Sequence, residues 1–395
     1  MAVRHVEVAV IGGGVIGSSI AYHLARQGRA VLVIERAEVA ASPAASWASA
    51  GGVRRQGRHA AEAALASEAI VRWHTLEAEL EADVQYRHGG QLLLAESDAE
   101  ADEVAEFVAR QHALGFDDVR LVDRREALEL APGLNERVRA GSYSPADGQA
   151  DPLRTTHAFV AAAERLGAEY WTGTACQALL RTGARVSGVA TERGDVLAEQ
   201  LVLAAGAWSD PLAASVGLLL PVQTRALQMV RSTPGAEVTL RPVLSALGRP
   251  LSLKQLPDGA YLLGGGWLGD PTPDGRGYTL RASSQRGNWA TACELFPPVA
   301  ARSIDRAWCG LEALSFDGIP FVGPAPDHAG LTLALGFTGH GFALAPAVGR
   351  AVTDQLAGRT TPELDGLSPS RIAGFDSAAV AAFRAAPAHG DYLGE

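Results

Sequence analysis

Three glycines and an acid near the start of the chain have the types and spacing of a phosphate-binding turn. Gly12, Gly14 and Gly17 follow the apolar run 6–11, and Glu35 ends the next apolar run. Gly12 permits a tight turn out of a strand, Gly14 leaves room for a pyrophosphate, and Gly17 lets a helix lie close to the sheet. The helix N-terminus offers N–H groups to phosphates, and Glu35 accepts hydrogen bonds from a ribose. The sequence therefore predicts dinucleotide binding.

Glu35 and the residues after it narrow the type of dinucleotide. A carboxylate at this position favours an unphosphorylated adenosine ribose, so FAD or NAD rather than NADP. A doubly wound nicotinamide dehydrogenase needs further β-α-β units directly after Glu35. The chain instead enters segment 41–57, which is rich in small residues. Such residues let the backbone approach a flat ring closely.

A second glycine segment near the C-terminal end has the same strand–glycine–helix form. It contains Gly336, Gly339 and Gly341 and leads into the last long helix. N–H groups at the start of that helix, with His340 beside them, would stabilise negative charge on a reduced flavin. This segment therefore favours FAD over NAD.

The elements that must position these residues alternate in type along the chain. Pieces typical of a nucleotide-binding fold are separated by antiparallel-looking strands, which predicts two interleaved domains. We expect an α/β fold with a Rossmann-type FAD-binding domain of the glutathione-reductase kind and an antiparallel-sheet α+β substrate domain. The predicted ranges are 1–80, 148–220 and 305–395 for the first domain, and 81–147 and 221–304 for the second.

Composition excludes several classes of function. The chain has 395 residues, 47% of them hydrophobic, and a net charge of −10, which argues against a nucleic-acid partner. Cys176, Cys293 and Cys309 show no C-x-x-C spacing, so we expect a reducing compartment and no metal site. No signal peptide and no apolar run of about 20 residues is apparent. The sequence thus predicts a cytoplasmic protein without a membrane span.

Segments spread from about residue 6 to residue 357 give the chain a wider resemblance. It resembles the D-amino-acid oxidase family of FAD-dependent oxidoreductases, which includes glycine oxidase, sarcosine oxidase and D-amino-acid dehydrogenase. The matching segments are VAVIGGGVIGSSIAYHLARQG…VLVIER, SAGGVRRQ, YSPADGQADP, VLAAGAWS, RAWCGLEALSFDGIPFVGP and GFTGHGF. Together they are specific for the family but not for a substrate.

The resemblance implies a cofactor and a reaction. FAD would be bound without a covalent link, because Cys309 lies one position from the place of the linking cysteine in monomeric sarcosine oxidases. A C–H bond next to an amine would give a hydride to flavin N5, and the imine product would be hydrolysed. Positioning of an amine or amino-acid substrate would do most of the work. Oxygen or another acceptor would take the electrons, and homo- or hetero-oligomeric assembly stays open.

The resemblance also implies FAD contacts residue by residue. The pyrophosphate would lie against the first glycine turn, the ribose at the second strand, and the ring between the two glycine segments. The implied positions are Gly12, Gly14, Val15, Ile16, Gly17, Glu35, Arg36, Ser42, Ala50, Gly51, Gly52, Ala175, Cys176, Ala205, Gly206, Trp208, Gly310, Gly336, Gly339, His340 and Gly341.

The substrate side departs from the family pattern. Glycine-oxidase-like members have a W-x-G-L-R segment whose arginine holds the substrate carboxylate, but Glu312 stands at that position here. A carboxylate would then be held elsewhere, with Arg54, Arg55 and Lys254 as candidates. Arg54, Lys254 and His340 are our candidate catalytic residues.

Oxygen reactivity is the other departure. Monomeric sarcosine oxidases use a lysine in a strand over the flavin, whereas the matching strand here, 261–264, carries leucines. Lys254 is expected on a different part of the sheet. This favours a dehydrogenase that passes electrons to a quinone or a partner.

Two other functions remain open at this point. One is an FAD-binding electron-relay or structural subunit of a hetero-oligomeric dehydrogenase. The other is a nicotinamide dehydrogenase with NAD at the first motif.

Overall fold

Two large β-sheets hold most of the strands in the computed structural model, which describes residues 3–386. One sheet has eight strands, the other has ten, and a short pair joins β3 to β7. The strands are β1 (Arg4–Ile11), β2 (Val31–Ile34), β3 (Gly52–Val53), β4 (Gln91–Ala95), β5 (Arg120–Asp123), β6 (Ala140–Ser144), β7 (Gly148–Gln149), β8 (Glu169–Trp171), β9 (Cys176–Thr182), β10 (Arg185–Thr191), β11 (Gly194–Leu203), β12 (Val222–Ser232), β13 (Val243–Ala246), β14 (Ser252–Gln255), β15 (Tyr261–Gly264), β16 (Leu268–Pro271), β17 (Tyr278–Thr279), β18 (Ile304–Ser315), β19 (Phe321–Pro324) and β20 (Leu331–Leu335).

The helices lie mainly against the faces of these sheets. They are α1 (Val15–Arg26), α2 (Ala45–Ala48), α3 (Ala63–Trp73), α4 (Leu76–Leu80), α5 (Asp98–Ala113), α6 (Arg124–Leu130), α7 (Pro152–Arg165), α8 (Ser209–Ala214), α9 (Ala282–Leu295), α10 (Gly341–Leu356) and α11 (Ser377–Ala385). No helix within residues 3–386 combines the length and the apolar character needed to cross a membrane.

The first sheet has a parallel centre and a nucleotide-binding order. Its strands run β19–β20–β11–β1–β2–β8, and β10 and β9 form an antiparallel extension of β11. β1 pairs in parallel with both β11 and β2. Its last residues, 8–11, are buried on both faces, as their continuous apolar run requires of a central parallel strand. The predicted Rossmann-type sheet is confirmed.

The second sheet is mainly antiparallel, as predicted. Its order is β17–β16–β12–β15–β14–β13–β4–β6–β5, with β18 paired along the length of β12. β18 belongs to this sheet, although the sequence-based division placed residues 305–395 in the FAD-binding domain. The reason is that β18 and β12 pair over eleven residues of β12, a contact that local patterns do not reveal. Residues 1–2 and 387–395 of the predicted first domain lie outside the described residues.

Helices α1 and α10 pack closely against each other on the first sheet. The Ser19 hydroxyl donates a hydrogen bond to the carbonyl of Ala345, with 2.7 Å between the oxygens. Gly349 sits where a Cβ atom would lie only 2.7 Å from His23 Cδ2. This packing fixes the start of α10 beside the start of α1.

Candidate functional site

A cavity of about 890 Å³ runs between the two sheets. It is lined by the turn after β1, the segment that includes α2, the loop after β3, the end of β11, the facing strands β12 and β18, and the start of α10. Cavities of this size are typical of cofactor and substrate sites. The two glycine segments predicted to bind one flavin thus open into the same space.

The turn after β1 forms one end of this cavity with backbone groups. Gly12, Gly14, Val15 and Ile16 line it. The N–H of Val15 donates to Ser46 Oγ at 2.9 Å, and a Cβ at Gly14 would lie 3.0 Å from the same oxygen. The turn is therefore a cradle that a side chain at residue 14 would obstruct.

Gly17 has a packing role rather than a place in the lining. A Cβ there would collide with the carbonyl oxygen of Gly12, so the glycine lets α1 start directly against the turn. This matches the expected closeness of helix and sheet. The family resemblance implied that Gly17 contacts FAD, but Gly17 does not line the cavity.

Glu35 and Arg36 lie at the predicted ribose end. Glu35 accepts hydrogen bonds from the N–H of Gly13 at 2.7 Å and from the N–H of Ala37 at 3.0 Å. A carboxylate has about four acceptor sites, so capacity remains for ribose hydroxyls. The Arg36 guanidinium lies 4.1 Å from the ring centre of Trp208, which completes this wall. The remaining predicted residues of this end that line the cavity are Ala175, Cys176, Ala205 and Gly206.

The predicted ring end combines the loop before β3 with β18 and the start of α10. The predicted residues that line it are Ala50, Gly51, Gly52, Gly310, Gly339 and Gly341. Gly310 allows β18 to approach α2, because a Cβ there would collide with Ala48. The indole N–H of Trp308 donates to the carbonyl of Ala48 at 3.1 Å and holds the same contact.

Ser42 and Gly336 lie outside the cavity lining, contrary to expectation. Gly336 faces Phe321, Ser315 and Val222 in the packing behind β20. Ser46, which sequence reasoning missed, lines the cavity and accepts the N–H of Val15 in the glycine turn. The sequence signal for it was only a hydroxyl residue inside the small-residue segment.

His340 also differs from its predicted role. Its Nδ1 lies 3.1 Å from Glu62 Oε1, and its side chain does not line the cavity. Burial, with repulsion from Arg58, lowers the pKa of His340 to about 4, so the imidazole is neutral at pH 7. The pKa of Glu62 is held below its usual value: burial alone would raise it, but His340, Arg58 and Arg54 together outweigh that effect. On either side of His340, Gly339 and Gly341 do line the cavity.

Two arginines, one partly exposed and one buried, line the substrate side. Arg54 and Arg58 both line the cavity, and Arg58 is only 5% exposed. Arg54 donates to the carbonyl of Gln56 at 3.1 Å, whereas Nη1 of Arg58 is buried and has no hydrogen-bond partner in the described residues. Burial and repulsion from Arg54 lower the pKa of Arg58 to about 9, so it stays charged at pH 7. The sequence marked Arg54 and Arg55, but not Arg58, as carboxylate candidates.

Asp147 supports the loop that carries these arginines. Its carboxyl is fully buried and accepts the N–H of Arg55 at 2.9 Å and the N–H of Gln56 at 3.4 Å. Burial raises the pKa of Asp147 to about 6, although those hydrogen bonds and the nearby Arg54 oppose the rise. The side chain of Arg55 turns away from the cavity to pair with Asp118.

Lys254 lies closer to the predicted ring end than the sequence suggested. β14 pairs directly with β15, so Lys254 is opposite Leu262 rather than on a distant part of the sheet, and that expectation was wrong. Its Nζ lies 3.5 Å from the carbonyl of Ala150 and would be 3.1 Å from a Cβ at Gly51. Burial lowers the pKa of Lys254 to about 7. The lysine stands behind the loop at residue 51 and does not itself line the cavity.

The residues present fit FAD and not a metal. Two helix N-termini without side-chain caps, at α1 and α10, face one elongated cavity, and an acid stands at the ribose position. Such N-termini favour anionic groups. Within residues 3–386, no group of three or more His, Cys, Asp or Glu side chains is arranged to hold a metal ion.

Comparisons with known proteins agree with this geometry. The profile of the FAD dependent oxidoreductase (DAO) family matches residues 7–355. Glycine oxidase of Pseudomonas aeruginosa is 32% identical over 89% of this chain and 95% of its own length. One subunit of the opine oxidase of Agrobacterium tumefaciens is 28% identical over 93% of this chain and 98% of its own length. The crystal structure of L-proline dehydrogenase from P. horikoshii superimposes with a TM-score of 0.87 and 28% identity, covering 94% of this chain and 98% of that one.

Proposed function

The chain belongs to the DAO family of FAD-dependent oxidoreductases and is an enzyme that oxidises carbon–nitrogen bonds. We propose that its substrate is an amino acid or a secondary amine that carries a carboxylate. FAD is its cofactor. Arg58 lines the cavity, and its buried Nη1 atom has no hydrogen-bond partner among residues 3–386; this observation carries the proposal.

Arg58 is suited to hold the substrate carboxylate. A guanidinium presents paired N–H donors that match a carboxylate, and such charge-assisted bonds are strong when water is excluded. Because Nη1 of Arg58 has no partner within the described part of the chain, a ligand carboxylate would satisfy it without breaking a hydrogen bond. Asp147 would keep the loop in place through its bonds to residues 55 and 56.

FAD, when bound, supplies the hydride acceptor. The protein's part is to orient the substrate and exclude water. The carboxylate anchor at Arg58 would leave the C–N bond of the substrate in the part of the cavity bounded by Gly310, Gly51 and Gly339. The backbone N–H groups at the start of α10 would favour negative charge on the nearby ring.

Anaerobic bleaching tests the activity directly. We expect the purified protein to show the yellow absorbance of oxidised FAD, and an amine from a panel of D- and L-amino acids, sarcosine, proline derivatives and opines to bleach it. A protein that is yellow but bleached by none of them would contradict the proposal and favour an electron-relay subunit.

Arg58→Gln tests the carboxylate anchor. We expect the dissociation constant for a carboxylated amine, measured from anaerobic flavin reduction, to rise on the order of 100-fold, because one strong charge-assisted pair is lost. Arg55→Gln is the matched control, since that arginine lies in the same loop but points away from the cavity. Equal effects of the two changes, or an unchanged constant in Arg58→Gln, would contradict the role.

Assembly is a further part of the proposal. The relative from Agrobacterium is one subunit of its oxidase, which supports hetero-oligomeric assembly here. Mass determination of the native protein from its own cells tests this. The cytoplasmic location inferred from the sequence stays a prediction.

A further inference from the structure

Glu312 presents a carboxyl to the cavity that the proposed function does not use. Along β18, side chains two residues apart share a face. Trp308 and Gly310 lie on the face of Glu312, and both contact Ala48 of α2. Glu312 therefore points toward the ring end of the cavity, which it lines together with Ala313 and Gly339.

Two titratable side chains on the elements next to Glu312 bond to other partners. Arg225 lies opposite Glu312 in the β12–β18 register, but its guanidinium donates to Gln223 at 2.9 Å and to the carbonyl of Ala386 at 2.8 Å. His340, on the neighbouring chain segment, bonds to Glu62. Glu312 forms no ion pair within 4.0 Å among residues 3–386.

Its surroundings suit proton transfer at neutral pH. Burial raises the pKa of Glu312 to about 7, and contact with the Gly339 backbone opposes only part of that rise. A carboxyl that titrates near the working pH is an efficient proton acceptor. The acid also reverses the charge of the arginine that glycine-oxidase-like proteins have at this position.

We propose that Glu312 is a catalytic residue that accepts the proton of the substrate ammonium before the C–N bond is oxidised. The step rests on the proposed function. The N–H bond breaks, its electron pair stays on nitrogen, and the proton bonds to a Glu312 carboxylate oxygen. An aliphatic ammonium has a pKa of about 10, so without an acceptor only a small fraction of substrate is neutral at pH 7. The free lone pair then favours loss of hydride from the adjacent carbon.

Glu312→Gln tests the step by its pH dependence. Sarcosine, glycine, L-proline and N,N-dimethylglycine would be mixed anaerobically with the FAD-loaded enzyme between about pH 6 and pH 10. For the wild type we expect the rate of flavin reduction at limiting substrate to rise to a plateau with an inflection near pH 7. For the variant we expect a tenfold rise per pH unit up to the pKa of the amine. The deficit would be on the order of 100-fold near pH 7.5 and would vanish near pH 10.

Glu312→Asp is the matched control, because it keeps a carboxyl and should keep an inflection. A second readout does not depend on turnover: the visible spectrum of the oxidised enzyme should change with pH near 7 in the wild type and not in Glu312→Gln.

A glutamine variant that is slowed equally at every pH, or that keeps the wild-type profile, would overturn the proposal. If neither these four amines nor the wider panel of D- and L-amino acids, proline derivatives and opines reduced the wild type, both this proposal and the proposed function would be overturned. Reduction with an unaltered profile would overturn only the role of Glu312.

Discussion

Gly14 and Ser46 meet across the turn after β1, so the predicted phosphate site is built from two segments of the chain. The glycine supplies open space, and the serine accepts the N–H of Val15 at 2.9 Å. A third group, the Glu35 carboxylate, holds Gly13 from the other side at 2.7 Å. The shape of the turn therefore depends on side chains that bond to its backbone.

Gly14→Val should abolish FAD retention. Even a Cβ at residue 14 would lie 3.0 Å from Ser46 Oγ, and the added methyl groups would fill the cradle. The measurement is the ratio of flavin absorbance to protein after purification. Gly277→Val is the control, since a Cβ there meets only Thr272, at 3.4 Å. Normal FAD content in Gly14→Val would show that the pyrophosphate does not lie at this turn.

Sequence reasoning named the cavity residues that belong to one local unit and missed those that tertiary contacts bring to the cavity. Gly12, Gly14 and Glu35 belong to one strand–turn–helix–strand unit, so their spacing was informative. Ser46 and Arg58 reach the cavity only because α2 and the loop after β3 fold back on that unit. The structure differs from the prediction for His340 for the same reason. Its partner, Glu62, is distant in sequence, and burial leaves the imidazole neutral.

At the scale of elements, the contact between α1 and α10 determines how the two glycine segments meet. Ser19 bonds to Ala345, and Gly349 leaves room for His23, so each helix fixes the position of the other. Helix order along the chain was predictable from the strand–glycine–helix patterns. The direct packing of the first long helix against the last long one was not, because it joins parts of the chain far apart in sequence.

Gly349→Val should separate these helices. The new side chain would collide with Ser19 and His23, and overpacking of this kind costs about 1–3 kcal/mol of the free energy of unfolding. We expect a lower melting temperature and weaker FAD binding, measured by thermal unfolding and flavin titration. Ala357→Val, at the exposed end of α10, is the control. A melting temperature equal to that of the control would show that the helices tolerate a wider spacing.

At the scale of the whole molecule, buried carboxyls make stability depend on pH. Burial raises the pKa of Glu312 to about 7 and that of Asp147 to about 6. A carboxyl with a raised folded-state pKa binds its proton more tightly when the chain is folded. The free energy of unfolding contributed by these groups is therefore highest below about pH 4 and falls as pH rises through 6 and 7.

Glu312→Gln should therefore raise stability progressively between about pH 5 and pH 7 and keep the gain at higher pH. We expect the free energy of unfolding to exceed that of the wild type by about 3 kcal/mol near pH 8 and to equal it near pH 4, because both residues are then uncharged. Urea unfolding at matched FAD content measures this difference. Glu106→Gln is the control, since that side chain is 77% exposed. A constant difference across pH would mean that Glu312 does not titrate between these values in the folded protein.

The meeting of residues 12 and 341 in one cavity also has a consequence for biosynthesis. The chain leaves the ribosome from its N-terminus, and early segments tend to fold first. Yet β20, which completes the central sheet beside β11, and the start of α10 are made long after β1 and α1. The nascent protein would therefore have only half of its flavin cradle until α10 has been made, so loading of the vitamin-derived cofactor would have to wait for that helix.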